Sequence, residues 1–214
     1  AWNLARQARD AGAQIVVFEP RERLGAGLAY DTANPVHRIN VPASRMSLDP
    51  TVLQDFAEWL VDTGYAESDP AAQASDGSLY PRREAFGDYV WSRIAPFVKN
   101  GAIRHVRSRV VEVSQEGQGW KIVSEDAGAV IADCVVIATS HPAPSAPQAL
   151  SSMLEGHPRL VADATPGNAL NPIRADDAVL VVGNGLTSAD VIASLVARGH
   201  KGHITSISRR GLRS

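Results

Sequence analysis

A single cysteine, Cys134, stands in a chain of 214 residues. That excludes an internal disulfide, a cysteine-rich metal site and a two-thiol redox centre, and it fits a reducing, cytoplasmic setting. Cys134 lies in a β-branched run, where a thiol reads as a small buried apolar side chain rather than a nucleophile. Charge of one sign is equally scarce: 21 Lys and Arg stand against 23 Asp and Glu, a formal net charge of -2. Without a basic excess to hold phosphate backbones, a non-specific nucleic-acid binder is excluded. Apolar runs such as Ala178–Val182 and Cys134–Ala138 fall far short of the roughly 18 residues of a membrane helix. Aromatic residues make up only 6% of the chain. Trp59, Trp91 and Trp120 occupy core-like positions, so no base-stacking platform is expected. The six histidines lack the paired spacing of a tetrahedral metal site, His200 and His203 lying beside glycines in a turn. No Gly-x-Ser-x-Gly elbow is present either.

What is there has the pattern of an α/β protein. A helical pattern over residues 1–11 ends at Gly12, and the apolar run Gln14–Phe18 then closes on Glu19 and Pro20. Helix, glycine turn, apolar strand and terminal carboxylate match the back half of a dinucleotide-binding βαβ unit. Ala1 opens without an initiator methionine and already inside the helical pattern, which reads as a piece of a longer chain, its first strand and glycine loop expected upstream. Asp49–Pro50 supplies a cap and first-turn proline for a helix to about Val61, with Val52, Leu53, Phe56, Trp59 and Leu60 facing a core. Residues 66–79 are polar and read as a mobile surface loop. Glu84–Val98 carries Phe86, Tyr89, Val90, Ile94 and Phe97 on one helical face, with Pro96 near its end. Strands are expected at Ile103–Arg107, Val110–Gln115, Trp120–Ser124 and Val130–Ala138. The last of these is apolar through Cys134–Ala138 and reads as central. Residues 139–177 hold most of the remaining prolines and form a crossover. Ala178–Val182, a glycine turn, a helix over Ala189–Arg198 and Ile204–Ile207 complete a second βαβ unit.

The clearest motif follows the strand ending at Val182: Gly183, Asn184, Gly185, Leu186, Thr187 and Ser188. Gly183 permits a tight turn, and Gly185 leaves room for a pyrophosphate at a helix N-terminus, where free N–H groups and the helix dipole favour anions. Ser188 stands small at the third glycine position. The competing reading is a simple tight turn. After the next strand an NAD-specific unit places a carboxylate, but here Ile207 and Ser208 lead into Arg209 and Arg210, which suit a 2′-phosphate. Alternatively, Arg209, Arg210 and Arg213 form a solvated basic tail. Glu19, closing the earlier strand, can accept both ribose hydroxyls of an adenosine, or serve as a surface turn residue.

Four segments together carry a family resemblance: Phe18-Glu-Pro-Arg-Glu-Arg-Leu-Gly-Ala-Gly-Leu-Ala-Tyr30, His37-Arg-Ile-Asn-Val-Pro-Ala-Ser-Arg-Met46, Val135-Val-Ile-Ala-Thr-Ser-His-Pro142, and Val179 to Ser188 followed by Ser208-Arg-Arg-Gly211. The set resembles bacterial FAD/NAD(P)-binding domain proteins, relatives of flavin-containing and N-hydroxylating monooxygenases. The resemblance implies two Rossmann-like dinucleotide-binding units, of the glutathione-reductase-like flavoprotein fold, with a β-meander. Residues 1–140 would form an FAD-binding unit with a helical insertion at 49–98 and the meander at 109–132. Residues 141–177 would be the crossover linker and 178–214 an NADP-binding unit. On that basis Glu19 would hold the FAD ribose, and Gly25, Gly27, Leu28 and Ala29 would pass beside the flavin. Asn40 and Val41 would approach the isoalloxazine edge, and the backbone at Val110 and Val111 would meet the adenine. Ala138 and Thr139 resemble the Ala-Thr-Gly linker, where this chain departs by carrying Ser140 in place of glycine. Arg82 or Arg83 would meet a phosphate or an anionic substrate, or form a helix-start surface pair with Glu84. The activity implied is oxygenation of a small-molecule substrate by an FAD- and NADPH-dependent enzyme through a flavin hydroperoxide. The alternatives are an NADPH-dependent flavin reductase with another acceptor and a non-catalytic nucleotide-binding module. No protein residue is singled out as a catalytic acid or base, because the cofactor carries that chemistry. Neither a nucleic acid nor a membrane is expected as a partner.

Overall fold

The computed structural model describes residues 1–8, 12–142 and 144–211. The chain forms two compact units, one from Ala1–Asp31 with Val41–Ser140 and the other from Thr32–Asn40 with His141–Ser214. Both contain a parallel strand pair, so the fold is α/β, with an antiparallel meander in the first unit. Among the described residues no helix is long and apolar enough to cross a membrane.

In the first unit, α1 (Trp2–Gln7) precedes β1 (Ile15–Phe18), followed by the short α2 (Gly27–Tyr30), α3 (Asp55–Asp62), α4 (Tyr65–Ser68) and the long α5 (Arg83–Lys99). Then come β2 (Ile103–Val106), β3 (Val110–Glu116), β4 (Gly119–Ser124) and β5 (Ala129–Ala132). β1 and β2 pair in parallel from Ile15 opposite Ile103 to Phe18 opposite Val106. α5 forms because its apolar residues recur at helical spacing. Ala85, Tyr89, Val90, Ile94 and Phe97 are buried, while Glu84 in the first turn and Lys99 in the last complement the helix dipole. Pro96 sits in the final turn, where it removes one i→i−4 hydrogen bond, to the Ser92 carbonyl, close to the helix end.

The scarce aromatic residues are concentrated here. Tyr30, Phe56, Trp59, Tyr65, Phe86 and Tyr89 form one cluster, with centroid separations from 4.7 Å for Tyr30–Phe86 to 6.2 Å for Phe56–Trp59. Tyr89 is fully buried, and its hydroxyl donates to the Asp55 carboxylate while accepting the Leu48 N–H at 3.1 Å. Arg93 closes the network on Asp55, at 2.6 Å from Nη2 and 3.3 Å from Nε. Burial and the Asp55 carboxylate hold the Tyr89 phenol above its ordinary pKa, so it remains a donor.

Several expectations need correction. The helix expected from Asp49 starts only at Asp55, leaving Val52 and Leu53 exposed. Asp49 instead closes a turn, its carboxylate accepting from the Thr51 N–H and hydroxyl. Residues 66–79 carry short helical turns and a bridge rather than unstructured loop alone. Ala72 and Asp69 are buried, Gln73 bridges Leu79, and the backbone of Ala43 bonds that of Leu79. Local polar groups and a few backbone bonds order the segment where apolar content would not. The run Cys134–Ala138 is not a strand but exposed coil, with Val136 71% and Ile137 80% exposed. A strand needs a neighbour for its N–H and C=O groups, and among the described residues β1 pairs with β2 alone. Cys134 is therefore exposed, not buried, and Trp120 on the meander is 39% exposed rather than core.

The second unit holds α6 (Gln148–Leu154), β6 (Val179–Val182), α7 (Leu186–Ala197) and β7 (Ile204–Ile207). β6 and β7 run parallel from Val179 opposite Ile204 to Val182 opposite Ile207. α7 begins three residues earlier than the pattern suggested, at Leu186, because Gly185 itself serves as N-cap. The loop entering β6 is fixed by Asp177, whose carboxylate accepts from Arg159 Nη2 at 2.5 Å and the Arg174 N–H at 2.9 Å.

Candidate functional site

The sharpest geometry lies at the N-terminus of α7. β6 ends at Val182, and Gly183 turns the chain with φ +125°, a region that disfavours any side chain. Its N–H donates to the Ile207 carbonyl at 2.8 Å, tying the turn to the end of β7. Gly185 then opens the helix, and the Ser188 hydroxyl donates back to the Gly185 carbonyl at 2.5 Å. A methyl group built on Gly183 or Gly185 would meet nothing within 4 Å, so the space beside both is open; the backbone alone requires glycine at 183, and nothing in the fold requires it at 185. The first-turn N–H groups of a 12-residue helix point toward that space and favour an anion.

Opposite them, β7 delivers Ser208, Arg209 and Arg210. With Asn184 and Gly185 these residues line an open groove of about 410 Å³. Asn184 Nδ2 lies 3.5 Å from Ser208 Oγ, and both arginines are exposed. Ser208 was not singled out from sequence. It stands between the strand end and the two arginines, so reading the residue after the last apolar strand position would have found it.

In the first unit, Glu19 caps β1, its N–H donating to the Val106 carbonyl at 3.0 Å. Both its carboxylate oxygens accept from Arg21 Nη1 at 3.1 Å, and Oε1 also accepts the Arg21 N–H at 3.0 Å. A ribose would share this carboxylate with Arg21. Gly25 serves packing: a methyl group there would lie 2.2 Å from Val90 Cγ1. Gly27 starts α2 with open space around it, and Leu28 is 47% exposed, so Gly27, Leu28 and Ala29 present a free edge above α5. Gly87, which the sequence reading passed over, lets the two helices touch, since a methyl group on it would lie 2.8 Å from the Tyr30 carbonyl.

The remaining candidates are scattered. Asn40 and Val41 are exposed. Val110 pairs with Ser124, and Val111 sits at the register shift that follows, 57% exposed. Ala138, Thr139 and Ser140 lie in exposed coil. Arg82 lies 3.6 Å from Glu84 and 3.9 Å from Asp69, as in the helix-start pair. His37 is half-buried and hydrogen-bonded, and His141 is exposed.

Known proteins agree with this architecture. No curated protein matches the sequence. Among solved structures, ornithine hydroxylase (PvdA) from Pseudomonas aeruginosa superposes with a TM-score of 0.57 at 14% identity, covering 97% of this chain and 52% of that one. Its reduced form gives 0.58 at 15%, covering 96% and 50%. Lysine monooxygenase NbtG from Nocardia farcinica gives 0.51 at 16%, covering 97% and 54%. At such identities the likeness is one of fold, and this chain spans about half the length of those enzymes. The resemblance read from the four sequence segments is borne out. The FAD-NAD(P)-binding family model matches residues 1–142, and the chain belongs to that family.

Proposed function

We propose that this chain is the dinucleotide-binding body of an FAD-dependent, NADPH-using oxidoreductase, a monooxygenase of a small molecule. The observation that carries the reading is the groove at α7, where helix N–H groups, open glycines and two exposed arginines converge. These residues fit a phosphorylated dinucleotide. Gly183 and Gly185 would admit the pyrophosphate, Leu186 and Thr187 would meet it with first-turn N–H groups, Ser188, whose N–H is held by the Gly185 carbonyl at 3.0 Å, would stand small beside it, and Arg209 and Arg210 with Ser208 would bind the 2′-phosphate. In the first unit Glu19 would take the adenosine ribose of FAD, and the free edge at Gly27, Leu28 and Ala29 would border the flavin. Val41, Val110, Val111 and Ala138–Ser140 would complete that site by backbone contacts, and Asn40 precedes Val41 in the chain. Bound FAD supplies hydride acceptance and oxygen activation, while the chain's own residues bind and orient the nucleotides. Two solved structures of the same fold are a hydroxylase and a monooxygenase, which favours oxygenation over transfer to another acceptor. The lone cysteine supports a cytoplasmic setting.

The test is anaerobic titration of the FAD-loaded protein with NADPH and with NADH, followed at the flavin band. Bleaching at about 10- to 100-fold lower NADPH concentration is expected, the worth of one charge-assisted contact of about 1.5–3 kcal/mol. Arg209→Gln and Arg210→Gln should each erode that preference. A flavin band indifferent to both nucleotides would leave a non-catalytic nucleotide-binding module.

A further inference from the structure

The chain leaves the first unit after Asp31 and rejoins it at Val41; the strap between, Thr32–Asn40, belongs to the second unit. Its attachment is polar, half-buried on the strap and buried at Ser194. Ser194, on α7, is only 4% exposed, and its Oγ lies 2.9 Å from Asn34 Nδ2 and 3.1 Å from His37 Nε2. The Asn34 amide is oriented by its other end, since Oδ1 accepts the Val36 N–H at 3.2 Å, which turns Nδ2 toward Ser194 and toward His37 Nε2 at 3.2 Å. Thr32 Oγ1 accepts the Asn34 N–H at 3.2 Å and lies 3.3 Å from His37 Nδ1. Ile39 is buried at 4% exposure just beyond. Ser194 is buried and Thr32, Asn34 and His37 are half-buried, so removing a member of this joined set leaves its partners short of a hydrogen bond away from bulk water.

Ser194 lies on the helix whose first turn forms the nucleotide groove, about 9 Å along the axis from Ser188 at 1.5 Å per residue. The strap runs directly into Asn40 and Val41. We propose that Ser194, His37 and Asn34 are positioning residues that couple dinucleotide binding at α7 to the strap, so that occupancy of the groove stiffens Thr32–Asn40 and sets the backbone entering Val41. The inference rests on the reading of the groove as a dinucleotide site.

Hydrogen–deuterium exchange of the 214-residue chain, with and without NADP⁺, tests it in the parent, in Ser194→Ala and in His37→Gln. In the parent, NADP⁺ should slow exchange in two places, residues 183–188 and residues 33–40. In both variants the strap should exchange about tenfold faster without nucleotide, as expected for losing a net hydrogen bond, with β6 and β7 unchanged. NADP⁺ should then protect 183–188 alone. Protection of 183–188 but not of the strap in the parent overturns the coupling and leaves the groove reading standing. Protection of neither overturns both. Strap exchange indifferent to both substitutions also overturns the coupling, and β6–β7 exchange reports whether a variant has simply unfolded.

Discussion

Gly25 invites a flavin explanation from sequence and a packing explanation from structure, and one substitution separates them. A methyl group at Gly25 would stand 2.2 Å from Val90 Cγ1 and 3.2 Å from Ile94 Cδ1. Both neighbours are on the buried face of α5, at 4% and 6% exposure, so neither can swing into solvent. Overpacking of this kind costs about 1–3 kcal/mol. Gly25 also has φ +97°, a region that penalises alanine by about 1–2 kcal/mol. Gly25→Ala should therefore destabilise by about 2–5 kcal/mol, a large part of the roughly 5–15 kcal/mol of a typical domain. Val90→Ala removes the clashing methyls and by itself costs about 1.6 kcal/mol in lost burial, plus a cavity term. In urea denaturation without any nucleotide, the double variant should be more stable than the two single effects predict by about 1–3 kcal/mol. The φ penalty would remain. A Gly25→Ala protein within about 0.5 kcal/mol of the parent, or effects that merely add, would refute the packing argument.

Tyr89→Phe keeps the ring in its aromatic cluster but removes the hydroxyl that joins Asp55 to the Leu48 N–H. Arg93 still holds Asp55, but the Leu48 N–H loses its acceptor, which should cost about 1–3 kcal/mol in urea unfolding, and a neutral result would mean that water replaces the hydroxyl. Asp49 offers a pH test. The Thr51 hydroxyl and N–H, then Arg6, lower its carboxyl from 3.8 to about 2. A lowered folded-state value means that its contribution is present above the ordinary 3.8 and is lost as pH falls through about 2. Acid titration followed by circular dichroism should show a shallower stability loss across that window in Asp49→Asn. Equal slopes for parent and variant would remove Asp49 from the account. The Asp177 carboxyl is likewise lowered, first by the Arg174 N–H and then by Arg159 and Arg174. Asp177→Asn should therefore flatten the acid dependence of the second unit, read from exchange of β6 amides. Unchanged β6 exchange on acidification would contradict this.

The α/β class, the β6–β7 unit, the meander and α5 were legible because period and punctuation are local properties, whereas the pairing of β1 with β2 was not. The 3.6-residue spacing of Tyr89, Val90, Ile94 and Phe97, and the strand, glycine and helix order around Gly183, need no knowledge of distant contacts. The Gly183–Ser188 turn and the Arg209–Arg210 pair were legible for the same reason, and the fold brings them to one groove. Tertiary structure decided what depends on neighbours. Cys134–Ala138 has the composition of a buried strand, but a strand exists only beside another, and here the run stays in coil. Residues 66–79 lack apolar content, yet bonds to Ala43 and across Gln73–Leu79 order them. Gly25 and Glu19 were visible as residues but not in their surroundings, Val90 packed against one and Arg21 bonded to the other. The link from Asn34 and His37 to Ser194 spans more than 150 positions. No local pattern encodes it, because burial and donor geometry arise only when distant segments of one chain pack together.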